Sequence, residues 1–595
     1  MSMAETEDPL DGHRPLGATG ILRAFSDAGL LEAADVHVAG RLTTLAGESS
    51  ETVALAVALA VRAVRHGSVC VDLTKVATDS GAAELPWPPL DDWSAALRAS
   101  PLLGPTPVLR LSDDHLLYLD RYWREEEQVC TDLQAMATKP LPTDDAALTA
   151  GLDRVFPAAG YDEQRDAARI ALSQWMTVLT GGPGTGKTTT VAALLALLAE
   201  QAELAGKTRP RIALAAPTGK AAARLQEAVG REVDKLGDVD RTRLHGLQAV
   251  TLHRLLGSRP DSSARFRHHR DNRLPDDVIV VDEASMVSLT MMARLLEAVR
   301  PTARLILVGD PHQLASVDAG AVLADLVDGL GGLGGLGGLQ GLESNRDVRI
   351  AALTTSHRFG ESIGALANTI RLGDTDGAVE LLRAGGRHIE WLDDDADSTA
   401  TLRAALVPHA LRIREAALLG DAPAALTGLD SHRLLCAHRE GPHGVRHWNR
   451  QVERWLSEET GQPIWTSWYV GRPLLVTAND YRLRLFNGDT GVAVQHDGVL
   501  RAVIGGATGT LDFAISRLAD VDTMHAMTIH KSQGSQADEV TVLLPSENSR
   551  LLSRELLYTA VTRAKSKIRV VGSEGAVRAA LGRRAVRASG LRQRL

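Results

Sequence analysis

At 595 residues the chain is far longer than one hydrophobic core organises, so roughly three to five domains are expected. Hydrophobic residues at 44% and charged residues at 23% describe a globular chain and exclude a disordered or membrane-embedded one. A net charge of -9 argues against coating nucleic acid by bulk attraction, yet leaves room for a protein that grips phosphates in one local channel. No run of about 18 apolar residues occurs, and Met1–Leu10 is acidic where a secretory leader would be basic and then apolar, so a cytoplasmic protein without membrane contact is expected. Cys70, Cys130 and Cys436 are far apart and form no CxxC, which reads as buried apolar residues rather than a disulfide or zinc framework.

In chain order, residues 1–115 read as a small α/β adaptor, with a helix over Thr52–Val64, a strand over Ser68–Leu73 and a Pro-rich patch from Pro86 to Pro107. Leu116–Trp123 alternates aromatic and apolar residues and reads as a strand at the start of a linker, 116–160. From Tyr161, short β-branched runs alternate with helical patterns, the signature of a parallel sheet covered on both faces. Candidate strands are Met176–Thr180, Arg211–Ala215, Val278–Val281 and Arg304–Val308, then Arg433–Ala437, Val540–Leu544 and Ile568–Val571. Two α/β lobes follow, 161–345 and 346–595, separated near the Gly-Leu insertion Gly329–Leu342. Residues 480–520 read as a small β insertion. The arginine-rich tail (Arg578, Arg583, Arg584, Arg587, Arg592, Arg594) reads either as a contact to nucleic acid or a partner, or as a frayed solvated end.

Gly181-Gly182-Pro183-Gly184-Thr185-Gly186-Lys187-Thr188 follows a strand and precedes a helical run opening at Thr189, the setting of a phosphate-binding loop. Its glycines let backbone N–H groups turn toward phosphate, Lys187 supplies positive charge to the outer phosphates, and Thr188 offers a hydroxyl to magnesium. Val278–Val281 ends in Asp282 and Glu283, an acid for the Mg2+ shell and a base for the attacking water. These two elements predict an ATP hydrolase; many motors and switches share them.

The surrounding text narrows the class. Ala216–Leu225, Thr251–Leu256 and Gly309–Leu314 resemble motifs Ia, Ib and III of superfamily 1 helicases, with Gln164 at the adenine-reading position. Thr354–Arg358, Phe486–Val492, Thr528–Gly534 and Tyr558–Arg563 resemble the later blocks, in family order. Gly67–Leu73 and Leu117–Arg124 extend the likeness to the RecD branch of superfamily 1B, the alpha subunits of RecBCD exonuclease V complexes, over nearly the whole chain.

That resemblance implies two RecA-like motor lobes, 1A (161–345, with a small 1B element at about 257–275) and 2A (346–595, with an SH3-like 2B insertion at about 480–520). It implies that Gln313 senses the γ-phosphate, that Arg358 and Arg563 reach across the cleft as fingers, and that Glu539 meets the ribose. Thr218, His253, Thr528, His530 and Ser532 would hold the DNA strand. It further implies 5′ to 3′ movement on DNA, an adaptor that docks on a RecC-like subunit, and a nuclease site in a RecB-like subunit rather than in this chain. A stand-alone RecD-like helicase is the alternative, although no tandem Gly-rich hairpin occurs before residue 150. Arg267–Arg270 stands at the 1B position, as a DNA-facing pin or an exposed hairpin, and Asp393–Asp397 reads as a solvated acidic loop.

Overall fold

The computed structural model describes residues 15, 18–137, 141, 145–158, 160–259, 262–331, 350–355, 361–393, 396–480, 482–506 and 509–595. In the first lobe Ile279, Val281, Leu305 and Leu307 bury on one face of a sheet, and Val278, Val280, Ile306 and Val308 on the other. Strands apolar on both faces must be covered by helices on both sides, which is the parallel arrangement. The six-stranded parallel sheet runs in the order Ile350–Leu353, Met176–Gly181, Arg304–Gly309, Val278–Val281, Ile212–Ala216, Ala249–Thr251. Because the strands are parallel, the turns that follow Gly181, Gly309, Val281 and Ala216 all emerge at one edge, where α/β sheets place their ligands.

The second lobe repeats the plan with five parallel strands in the order Ile389–Leu392, Ala564–Val571, Ala537–Leu543, His432–Cys436, Ala526–Thr528. Inserted in it is a five-stranded antiparallel sheet, Gly509–Ala514, Val499–Gly506, Thr490–His496, Pro473–Val476 and Val521–Thr523. The fold is therefore two parallel-sheet α/β lobes with a β insertion in the second. Among the described residues no helix is long and apolar enough to cross a membrane, and all three cysteines are buried and free.

Several element readings change. The segment 116–160, expected as a linker, holds the strand Leu116–Leu119 and the helices Asp120–Ala137 and Asp145–Val155. Leu116–Trp123 is a strand only to Leu119, because the acidic and basic residues from Asp120 onward recur at helical spacing and Arg121 and Arg124 pair with Glu125 and Asp120 at i,i+4. That strand is the middle of a three-stranded antiparallel sheet between Cys70–Asp72 and Leu109–Leu111. Its Leu117 faces the adaptor core and its Tyr118 the first motor lobe, so adaptor and motor share one strand as a wall. Ile350–Leu353 pairs with the phosphate-loop strand, which carries the first sheet past residue 345. The β insertion begins at Pro473 and ends at Thr523, wider than 480–520, since its outer strands close the sheet. The hairpin Ser258–Arg259 and Ser262–Phe266 occupies the expected 1B position, and the nearby Arg270 is held by Asp132 at 3.0 and 2.8 Å. Residues 332–342 of the Gly-Leu insertion and 394–395 of the acidic run lie outside the described residues; helix Ala396–Leu418 takes up the end of that run. The arginine-rich tail is docked within the chain rather than frayed, with Arg594 3.8 Å from the Trp123 ring centre, while Arg583, Arg584 and Arg592 stay exposed.

Candidate nucleotide cleft

Strand Met176–Gly181 runs into the loop and helix Lys187–Leu204 leaves it. Gly184 and Gly186 have φ +82 and +88, the left-handed backbone that turns consecutive N–H groups inward. A Cβ on Gly181 would lie 2.5 Å from Thr185 Oγ1 and 2.8 Å from Leu353 O, so that position admits no side chain. Lys187 Nζ donates to Gly181 O (2.6 Å) and Gly182 O (2.8 Å). Burial lowers its pKa, opposed by Asp310, Asp282 and Glu283, so the ammonium sits in a pocket of surrounding acids. Gln164 Nε2 donates to Thr185 O at 3.1 Å, while its Oε1 is buried without a hydrogen-bond partner. A buried acceptor in that state is costly unless a ligand donor meets it.

On the neighbouring strands, Asp282 N donates to Ala215 O at 2.9 Å, which fixes the carboxylate at the sheet edge. Burial, and then Glu283, push the Asp282 carboxyl up to about 6. Glu283 has φ +52, a left-handed backbone for a residue with a Cβ, and caps the short helix Ala284–Met286. That strain aims the residue after the strand into the cleft instead of continuing the strand.

The two lobes meet over this edge. Asp310, directly after strand Arg304–Gly309, accepts from Gln313 Nε2 (3.0 Å) and from Tyr558 Oη of the second lobe (3.0 Å). Arg563 Nη2 donates to Gln313 Oε1 at 2.9 Å, with further bonds to Thr559 O and Ser535 O. Leu314 N donates to Thr559 Oγ1 (2.9 Å) and Leu314 O accepts from Gln533 Nε2 (2.6 Å). Burial lowers the Arg563 pKa, against the attraction of Glu283 and Asp310. Tyr558 Oη would lie 3.1 Å from a Cβ on Gly182, directly over the phosphate loop. Arg224 Nη1 adds a bond to Gly534 O at 2.6 Å.

Lys187, Asp282, Glu283, Gln313 and Arg563 thus gather around one cleft, and Arg358 lies outside the described residues. Thr188 and Thr189 stand on the first turn of the loop helix. Glu539 is half-buried on strand Ala537–Leu543, two residues beyond Ala537, whose N–H donates to Arg563 O. The expected DNA contacts are less uniform. Thr218 caps helix Gly219–Val233 through Ala221 N, and Thr528 accepts from Lys531 N. Ser532 is buried, its hydroxyl donating to Ile529 O at 2.6 Å, which turns it away from any strand in this conformation. The His253 ring meets Phe266 of the 1B hairpin edge-on at 5.8 Å, and burial lowers the His530 pKa. Asp310, Leu314, Gln533, Tyr558 and Thr559 were not singled out from the sequence, although each lies inside a recognised block. An acid one residue past a β-branched strand is the signal that Asp310 carried.

Three family models match: the AAA domain over 164–319, the UvrD-like helicase C-terminal domain over 523–571, and the RecBCD enzyme subunit RecD N-terminal domain over 27–118. The chain is 68% identical over 578 residues to the RecBCD enzyme subunit RecD of Mycobacterium tuberculosis, covering 97% of each chain. The chain belongs to the RecD family of RecBCD enzyme subunits. It is also 67% identical to the RecBCD enzyme subunit RecD of Mycolicibacterium smegmatis, covering 97% of this chain and 99% of that one. Its similarity to the ATP-dependent RecD2 DNA helicase of Deinococcus radiodurans is 29% and spans 56% of that protein. The RecD N-terminal match falls on the adaptor, whose core is formed by the buried helix Glu51–Arg65. The AAA and helicase matches fall on the two halves of the cleft, so this RecD-family chain is an ATP-dependent helicase.

Proposed function

We propose that the chain is the 5′ to 3′ motor of a RecBCD-type helicase–nuclease that processes double-strand DNA ends for repair, assembled with RecB-like and RecC-like subunits. The hydrogen bond between Gln313 and Arg563 carries the motor reading, because it joins the phosphate-sensing side chain of one lobe to the arginine of the other above the loop lysine. ATP entering the loop would take Lys187 from the Gly181 and Gly182 carbonyls and receive its adenine amino group at Gln164 Oε1. Thr188 and Asp282 are the residues that would hold Mg2+. The half-buried Asp282 carboxyl, pushed up by desolvation and by Glu283, fits a cation. Two protein oxygens completed by phosphates and water also suit this metal. When bound, Mg2+ would neutralise charge on the β- and γ-phosphates.

Glu283 would take the proton of the water that attacks the γ-phosphorus as the bond to the bridging oxygen breaks, while Arg563 neutralises charge on the transferred group. Loss of the γ-phosphate would release Gln313 and Arg563 together. The pull would pass through Leu314 to Gln533 in the 528–534 block, where Thr528 and His530 stand beside the proposed DNA track, opposite Thr218 and His253. Lys187→Gln should leave folding intact and abolish DNA-stimulated ATP hydrolysis and unwinding; full activity in that variant refutes the assignment. Co-purification from native cells should recover two larger proteins with helicase, nuclease and scaffold activities, whereas a monomer that unwinds alone would mark a stand-alone helicase.

A further inference from the structure

The arginine-rich tail changes hands at a single residue. Arg583 and Ala585 are held by the second lobe: Arg554 N donates to Arg583 O (2.8 Å), and Ala585 N donates to Glu555 Oε2 (2.7 Å). From Arg587 the tail is bound to the first lobe and the adaptor. Arg587 Nη1 donates to Asp318 O (3.0 Å) and Gly320 O (3.3 Å), in the loop that starts four residues past Leu314. Ala588 N donates to Ser68 Oγ (3.1 Å) and Val69 N to Ala588 O (3.0 Å). Ser589 Oγ and Gly590 N both donate to the buried Glu126 Oε1 at 2.8 and 3.1 Å. The same Asp318–Gly320 loop reaches the adaptor directly, through Gly320 N to Gly67 O at 2.9 Å. Between the two sets of anchors stands Val586, 80% exposed.

Two residues of extended chain span at most about 7 Å, so almost no slack separates Ala585 from Arg587. Relative movement of the lobes must therefore turn about Val586 or pull on the Asp318–Gly320 loop. We infer that Arg587 is a positioning residue for the Gln313 loop, and that Val586 is the pivot by which movement of the second lobe reaches that loop and the adaptor. The substrate is the ATP and DNA of the motor reading, on which this inference rests. The tail adds a mechanical route from nucleotide state to the adaptor, separate from the Gln313–Arg563 contact in the cleft. The docked tail packs tightly at Gly590, where a Cβ would lie 2.1 Å from the Oη of the buried Tyr118.

The test uses the assembled complex with the RecB-like motor inactivated, comparing the parent chain, a chain with a short Gly-Ser insert between Ala585 and Val586, and Arg587→Ala and Arg587→Lys. The insert leaves both sets of anchors in place and adds only slack. Expected are an unchanged melting midpoint and basal ATP hydrolysis for the insert, with several-fold more ATP consumed per base pair separated. Arg587→Ala should likewise raise the ATP consumed per base pair separated and show faster amide exchange at Gly320, with Arg587→Lys restoring both. Equal ATP per base pair in parent and insert, or rapid exchange at Val69 in the parent, would overturn the inference. A parent complex with no ATP-driven movement would instead overturn the motor reading itself.

Discussion

Gln533→Leu tests the link between the nucleotide cleft and the second lobe. The substitution keeps side-chain size but removes the Nε2 donor to Leu314 O, a 2.6 Å bond between two buried residues of different lobes. When the lobes part, water replaces the lost donor. When they close, Leu314 O is buried without one, at a cost of about 1–3 kcal/mol. That penalty falls on the closed state alone, so kcat/KM for DNA-stimulated ATP hydrolysis should fall roughly 5- to 150-fold. Thr559→Val removes the acceptor of Leu314 N, the other backbone group of the same residue, and should cost a similar factor. Because both bonds clamp one residue, the double variant should lose less than the product of the two single losses. The assay is steady-state hydrolysis with and without single-stranded DNA, beside a melting curve that should barely move. Unchanged DNA stimulation in Gln533→Leu, or strict additivity in the double variant, would refute the idea that Leu314 transmits closure.

Gln164→Ala removes the buried acceptor at Oε1, and the preference for ATP over GTP in competition binding should fall about tenfold. Arg563→Lys keeps a charge but not the fork that reaches Gln313, Thr559 and Ser535, so hydrolysis should drop on the order of 10³-fold while nucleotide binding, read by fluorescence titration, changes little. Burial, assisted by Glu126 and Asp328 and opposed by Ser589 and Arg592, pushes the Asp325 carboxyl up to about 7. The folded chain then keeps a proton that the unfolded chain releases at lower pH, and stability falls as pH rises from the ordinary carboxylate range through 7. Asp325→Asn should therefore melt higher than the parent at about pH 8 and converge with it toward about pH 4.

Much of the site was legible in the sequence because its parts are local. The phosphate loop needs left-handed glycines between one strand and one helix, and Asp282 and Glu283 need only follow a β-branched strand, so each is written in a few consecutive residues. The periodicity of the strands likewise announced two sheets buried on both faces. The strand ending at Leu119 was misread by four residues, since Tyr118 and Tyr122, four apart, satisfy a strand alternation and a helical i,i+4 spacing at once.

Pairings between distant segments were not legible. Tyr558 meets Asp310, and Arg563 meets Gln313, only because two separately folded sheets face each other at their loop edges, a relation that no local pattern encodes. The tail shows this most plainly: by composition Arg587 and Arg594 looked like solvated or nucleic acid-facing charges, and their carbonyl and aromatic partners lie hundreds of residues earlier. Local backbone preference and side-chain chemistry act over a few residues and were settled by the sequence alone. Which lobe an arginine touches depends on burial across an interface, and only the tertiary structure decided it.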